Sequence, residues 1–410
     1  MAAGDHSGAP MQASRRFVNV EDFRAAAHRF LPRIFADYID GGSFSETSLR
    51  RNREDFDLIR LRQKVLVPVQ TVDLSTSLHG QAVALPFGPG PVGFTGLYRH
   101  RGDVAIARAA HKAGVPSVLS TFSINGLKTV ADAVGAAPDF QLYLDQDPAE
   151  TALRLQMARD VGVRRIFLTV DTAVTSVRER DVRNGFRSVD RITAPLLWQF
   201  IRRPAWSFDV LRGGFPEVEM VRGRPEFGKG ALAQAGKLSS RLEKSLSWEI
   251  VQRLRDQWRG ELIIKGLMDG EDIRRAREHG ADGVVVSNHG GRQLDHGSST
   301  ISKVKDARQA LGPGPTLYVD GGFRRGADVI KAIALGADFV LMGRPFAWAV
   351  AAGGEESVSM LFELLKAEMA ITLQLMGVPS VAALAAAGEA ALDGYPQGWS
   401  DPPGVPSTSC

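Results

Sequence analysis

A histidine and an arginine flank two glycines in Ser287-Asn288-His289-Gly290-Gly291-Arg292-Gln293-Leu294-Asp295. An imidazole titrates near working pH and suits proton abstraction. An arginine fork grips a carboxylate or phosphate through paired, charge-assisted hydrogen bonds. The glycines let the backbone turn sharply, so both side chains can face one ligand. A lone histidine is most often a packed structural residue, but this one directly follows Val284-Val285-Val286, which reads as a strand. Side chains at the carboxyl ends of barrel strands carry chemistry.

Two further segments have the same placement. Leu168-Thr169-Val170-Asp171-Thr172 ends a strand and is followed by Arg178-Glu179-Arg180-Asp181. A carboxylate at Asp171 can orient the histidine ring and stabilise its cation, although taken alone it serves equally well as a helix cap or surface charge. Tyr318-Val319-Asp320-Gly321-Gly322-Phe323-Arg324-Arg325-Gly326 and Leu341-Met342-Gly343-Arg344 follow one unit apart. Glycine-rich loops after the last two strands of a barrel hold phosphate on backbone amides, with Arg324 and Arg344 adding charge; the plainer reading is tight turns with surface arginines.

Gly88-Pro89-Gly90-Pro91-Val92-Gly93 matches the spacing of a dinucleotide fingerprint. We reject that reading. Proline at two of the variable positions removes amide hydrogens that would hold pyrophosphate, and no helix opens at once. A strand end passing beneath a flat ligand explains the small residues better.

The elements that must position these groups alternate in strict order. Strand patterns at 84–92, 116–119, 139–143, 165–170, 261–265, 283–287, 316–320 and 338–342 are separated by helical patterns such as Asp103 to Ala113, Pro148 to Val161, Glu271 to His279 and Ala327 to Leu335. Eight such units predict the α/β class, a (β/α)8 TIM barrel of parallel strands. Phe23, Ala27, Phe30, Ile34 and Tyr38 recur at near-helical spacing, broken by Pro32 and stopped by Gly41-Gly42, so a helical arm precedes the barrel. The expected layout is a disordered head at 1–16, a barrel over 17–385 and a tail at 386–410.

One interval is irregular. About 90 residues separate strands four and five, including a helix near 247–257, which places an insertion at about 175–245. Its middle, Leu196-Leu197-Trp198-Gln199-Phe200-Ile201-Arg202-Arg203-Pro204-Ala205-Trp206, mixes aromatic and basic residues as a helix in a membrane interface does. A lid over the site and a subunit contact are the competing readings.

Composition bounds the rest. The chain has 410 residues, 44% hydrophobic and 23% charged, which suffices for a large core. Its 50 basic and 46 acidic residues are too evenly balanced to indicate nucleic acid. The single cysteine, Cys410, excludes an intramolecular disulfide and a cysteine metal cluster, and no metal site is expected. Arg15-Arg16 is followed by Phe17-Val18-Asn19-Val20-Glu21-Asp22 where an export signal requires a long apolar stretch, so a cytoplasmic protein is expected, either free or peripheral on the inner face of the membrane.

Together these segments resemble the FMN-dependent 2-hydroxy acid oxidase and dehydrogenase family, which includes glycolate oxidase, L-lactate dehydrogenase and mandelate dehydrogenase. The resemblance runs from about residue 20 to 385 and rests on SNHGGRQLD, DGGFRRG and the strand-end Gln141-Leu142-Tyr143. It implies oxidation of an L-2-hydroxy acid to the 2-oxo acid, with FMN as electron acceptor. His289 is then the base, Asp171 its partner, Arg178 and Arg292 the carboxylate clamp, and Tyr38 and Tyr143 the rest of the substrate set. For FMN the resemblance implies Pro91, Val92 and Gly93 by backbone, and Ser120, Gln141, Thr169, Lys265 and Ser287 around the ring and ribityl chain. Asp320, Gly322, Arg324, Gly343 and Arg344 lie at the ribityl and phosphate end.

Lys265 would also stabilise the negative charge that grows on a reduced flavin. Phe122 stands in the substrate pocket where glycolate oxidase has tryptophan, which removes an N–H donor and points away from glycolate. The insertion resembles that of the membrane-associated lactate and mandelate dehydrogenases. A homotetramer is implied, with a quinone, a carrier protein or oxygen reoxidising the flavin.

Overall fold

The computed structural model describes residues 17–186 and 193–396; the expected head and Cys410 lie outside the described residues. Eight parallel strands form its centre: β1 (Phe87–Pro89), β2 (Val118–Ser120), β3 (Asp139–Leu142), β4 (Arg165–Thr169), β5 (Glu261–Leu267), β6 (Gly283–Val286), β7 (Thr316–Asp320) and β8 (Phe339–Met342). They pair in the order β1-β8-β7-β6-β5-β4-β3-β2. At the remaining seam the Ala84 amide donates to the Gly114 carbonyl at 3.0 Å and the Phe94 amide to the Phe122 carbonyl at 2.9 Å. This is the (β/α)8 barrel that the alternation predicts.

The strands are apolar on both faces because helices cover the outside and side chains fill the inside. Phe167, Ile263, Val285, Tyr318, Phe339 and Leu341 make up much of that inner core. A hairpin of Thr76–Leu78 and Gln81–Val83 closes the amino-terminal end, where His79 Nε2 lies 2.9 Å from Tyr318 Oη. The first strand is shorter than its apolar run, 84–92, because Pro86, Pro89 and Pro91 have no amide hydrogen for a ladder.

The amino-terminal arm is two helices, Val20–Phe30 and Arg33–Asp40, divided at Pro32. Asn19 and Asp22 form a capping box at its start. At its end, buried Asp40 accepts from Trp348 Nε1 at 2.9 Å and from Arg24 Nε at 2.8 Å, with His28 Nε2 at 2.9 Å. That anchor delivers Tyr38 to the carboxyl end of the barrel.

Between β4 and β5 the chain forms helices Glu179–Asn184, Ala194–Ile201, Pro204–Leu211 and Ala231–Ser240 before Trp248–Gln257 leads into β5. The aromatic stretch expected as one interfacial helix is therefore two, because Pro204 opens a new one. Leu196 and Trp206 point inward. The Trp206 ring centroid lies 5.3 Å from Phe35 and 5.0 Å from Phe200, and its Nε1 donates to the Leu97 carbonyl at 2.8 Å. Trp206→Ala should therefore cost about 3–5 kcal/mol, read as a lower urea midpoint.

The carboxyl-terminal expectation needs correction. Residues from 386 were expected as tail, yet Gly388–Ala391 is a 3-10 turn and Leu392–Gly394 pairs antiparallel with Arg60–Leu61. Ala391 and Leu392 are buried, which supplies the apolar contact that holds the segment down. Residues 397–410 lie outside the described residues.

Candidate active site

The carboxyl ends of the strands open into one cleft beneath the arm. His289 follows β6 with φ +56, a left-handed conformation that β-carbon sterics disfavour. The turn is held by its own amide, which donates to Ser287 Oγ at 3.1 Å. Gly291, at φ +74, cannot be replaced cheaply, since a β-carbon there would lie 2.6 Å from the Leu49 nitrogen. The strained turn carries His289 across to β4, where its Nδ1 lies 3.0 Å from Asp171 Oδ1. Burial alone would raise the Asp171 pKa, but His289 and Lys265 outweigh it and hold the carboxyl below its usual range. With Nδ1 engaged, Nε2 is left for a ligand.

Lys265 rises from β5 and is buried. Its Nζ lies 2.9 Å from Asp320 Oδ2 and donates to Ser287 Oγ at 2.9 Å. Burial opposes its charge, yet Asp320 and Asp171 prevail and raise its pKa. Next to it, Gln141 Nε2 donates to Thr169 Oγ1 at 2.9 Å and Gln141 Oε1 accepts from Ser120 Oγ at 3.0 Å. Pro91, Val92 and Gly93 line the same cleft, as do Gly322 and Gly343.

The arginines meet around Tyr38. Arg292 stacks 4.6 Å from its ring centroid and donates to the Tyr38 and Gly41 carbonyls at 2.6 and 2.9 Å. Arg178 lies 5.2 Å from the same ring, with its Nε 2.6 Å from Asp181 Oδ2. Burial lowers the Arg292 pKa, and the neighbouring charge of Arg178 lowers it further. Two crowded cations of this kind favour an anion between them. Tyr143 completes the wall. Burial and then Asp171 push its hydroxyl pKa up, so it is a neutral hydrogen-bond donor.

At the opposite end of the cleft Arg324 is buried, with its pKa lowered to about 9 by burial and then by Arg53. Arg344 is lowered by burial and by Arg292 and Arg324. Arg344 lines the cleft and also donates to the Ile39, Gly290 and Gly41 carbonyls at 2.9, 2.8 and 2.9 Å, tying the arm to the histidine loop. Gly322, at φ +87, sits so close to the Asn52 carbonyl that a β-carbon would be 1.7 Å from it.

All the residues singled out in the sequence gather at this one end of the barrel. Three contributors were not. Asp181 pairs with Arg178. Tyr98 Oη donates to the Gly93 carbonyl at 3.1 Å, and Gln293 Nε2 donates to the Asp171 and Val174 carbonyls at 2.6 and 2.9 Å. Gln293 lay within the quoted motif, whereas Tyr98 acts through a backbone contact that leaves no pattern in the sequence.

The cleft suits a flat ligand with an anionic tail. Asp320 Oδ1 is a buried acceptor without a hydrogen-bond partner, placed for a polyol hydroxyl. Arg324 and Arg344 border the cleft with positive charge, and neither makes an ion pair among the described residues. The fold and this site define a barrel oxidoreductase whose cofactor carries a phosphate.

The FMN-dependent dehydrogenase family matches residues 27–389, and the chain belongs to it. FMN is therefore its cofactor. The chain is 41% identical over 369 residues to L-lactate dehydrogenase of Serratia proteamaculans, covering 89% of this chain and 96% of that one. It is 42% identical over 365 residues to L-lactate dehydrogenase of Caulobacter vibrioides, covering 88% and 95%. Among solved structures, monotopic membrane protein (S)-mandelate dehydrogenase superposes with TM-score 0.86 at 35% identity, covering 92% of this chain and all of that one. Mandelate oxidase superposes with TM-score 0.77 at 33% identity, covering 92% and 98%.

Proposed function

We propose that the protein oxidises an L-2-hydroxy acid to its 2-oxo acid, with His289 taking the substrate proton. The observation that carries this reading is the convergence of the His289–Asp171 pair, 3.0 Å apart, with Arg178 and Arg292 on one cleft that also holds Lys265 and Asp320. FMN, when bound, supplies the acceptor for the two electrons. The protein's own residues do the remaining work.

Arg178 and Arg292 fix the substrate carboxylate, and thereby which face of the molecule is presented. Tyr143, whose hydroxyl burial keeps neutral, and Tyr38 would donate hydrogen bonds to the substrate. Asp171, ionised at all ordinary pH, stabilises the imidazolium that forms at His289. Lys265 would hold a positive charge beside the cofactor's ring, and Asp320 Oδ1 would take a ribityl hydroxyl. Arg324 and Gly322 would hold the phosphate.

The substrate's side chain meets an aromatic wall. Phe122 lies 5.4 Å from Tyr143 and 5.8 Å from Phe94, and Phe186 of the insertion stacks 4.2 Å from Tyr38. Such a wall takes an apolar substituent between methyl and phenyl, the lactate to mandelate range. A panel of L-2-hydroxy acids, mixed anaerobically with the holoenzyme, tests this by bleaching of the flavin absorbance. Bleaching by none of them would end the reading. Arg178→Lys keeps the charge but loses the planar fork, and should raise KM by about tenfold with a smaller change in kcat.

The insertion also supports a contact with a membrane surface. No helix among the described residues is long and apolar enough to cross a bilayer. However, Leu197, Trp198 and Ile201 on one insertion helix and Phe208, Leu211 and Phe215 on and after the next are exposed, Phe208 at 77%. Large exposed apolar side chains gathered on two successive helices support an interaction face. The protein then works as a peripheral dehydrogenase, passing electrons to a quinone rather than to a carrier protein or oxygen, and as a homotetramer. Mass photometry measures the assembly, and oxygen uptake against quinone reduction separates the acceptors.

A further inference from the structure

A second cleft, of about 400 Å³, lies outside the catalytic centre, where the insertion docks on the barrel wall. Its rim combines Arg99, Arg101 and Arg108 from the first barrel helix and its approach with Asp209 and Arg212 from the insertion. The helix Gly102–Lys112 starts here without a side-chain cap. The long helix Arg344–Leu375 is broken here as well, at Gly353 and Gly354. Next to the cleft Gly213 packs on His100, so closely that a β-carbon would lie 2.2 Å from the imidazole. Asp209 and Arg212 thus make the insertion one wall of the cleft.

Its charge is unbalanced. Asp209 accepts from the His100 amide at 2.8 Å and lies 3.4 Å from Arg212 and 4.0 Å from Arg99. Glu355, the other carboxylate of the cleft, is taken by Lys112. Arg108 gives only its Nε, to the Ala133 carbonyl at 3.0 Å, and Arg101 makes no ion pair among the described residues. Two arginine forks thus face an open cleft whose carboxylates are already committed. A phosphate group supplies the missing charge and the geometry that guanidinium groups match.

The same insertion helix decides where that phosphate comes from. Pro204–Leu211 turns Asp209 toward the cleft while Phe208 and Leu211 stand exposed. An apolar face bordered by a basic cleft fits a bilayer surface, with acyl chains against the aromatics and a headgroup beside the arginines. We infer that this cleft binds the phosphate headgroup of an anionic phospholipid, with Arg101 and Arg108 as its principal contacts. The inference rests on the membrane-facing reading of the insertion.

Vesicle flotation of the full-length holoenzyme tests it, comparing phosphatidylcholine vesicles with vesicles containing one third phosphatidylglycerol. Wild type should float with both and prefer the anionic ones. Arg101→Gln/Arg108→Gln should lose at least about 5-fold of that preference, since each basic group near an anionic surface contributes about that factor. It should still float with phosphatidylcholine and melt at the wild-type temperature. Arg253→Gln/Arg259→Gln, an equal charge change at exposed positions on and just after the helix before β5, should keep the preference.

Several results would overturn the assignment. The cleft pair could keep the full preference, or the control pair could lose as much of it. Inorganic phosphate could abolish the preference at low millimolar concentration, pointing to a free anion. A change in assembly size of the cleft variant would make the cleft a subunit contact. If wild type floats with neither vesicle and Trp198→Ser/Phe208→Ser changes nothing, the membrane reading itself falls, whereas binding without anionic preference removes only the headgroup site.

Discussion

His289→Gln should retain FMN and lose turnover by at least about 10²-fold. The loss follows from geometry: Asp171 holds Nδ1 at 3.0 Å, so the ring leaves its other nitrogen to accept the substrate proton. Glutamine fills similar space but cannot take a proton. His289 is the chief influence holding Asp171 below its usual range against burial, so the variant also lets the Asp171 pKa rise. Steady-state rates with a soluble acceptor, beside the flavin absorbance of the same sample, give the answer. Turnover near wild type with flavin present would remove the base.

Lys265→Met should be the most damaging single change to the fold and the cofactor together. Lys265 is buried, and it compensates Asp320 at 2.9 Å while sitting in the field of Asp171. Removing one partner of a buried pair leaves an uncompensated carboxylate and costs about 3–5 kcal/mol. The flavin-to-protein ratio should fall with the urea midpoint, and Lys265→Arg should recover part of both. An unchanged ratio and midpoint would show that Asp320 is satisfied by other means.

The barrel was legible in the sequence because each strand is an apolar run followed by a helical pattern, and parallel strands buried on both faces have no other way to be written. Boundaries were less so. Phe87–Pro89 is short because prolines cut the hydrogen bonding of an apolar run that otherwise looks continuous. The segment after residue 386 looked like a tail because small and polar residues dominate it, and only Ala391 and Leu392 reveal the docking.

For the site, motif order named the groups that gather around His289, but not how they share work. Nothing in Gly343-Arg344 says that the guanidinium is spread over three carbonyls from two distant segments. Nor does Arg178-Glu179-Arg180-Asp181 show that Asp181 turns back on Arg178 rather than facing solvent. Such partners are set by tertiary packing, which spacing along the chain does not encode.

The triple grip of Arg344 has a further consequence. Because one guanidinium fastens Ile39, Gly41 and Gly290 while bordering the cofactor cleft, loading of FMN and docking of the arm, Val20–Asp40, should behave as a single linked equilibrium. Protein stripped of flavin would then offer the Arg24 and Arg29 bonds to trypsin, and refilling it would withdraw them. Cofactor supply, read this way, sets the lifetime of the polypeptide as well as its chemistry.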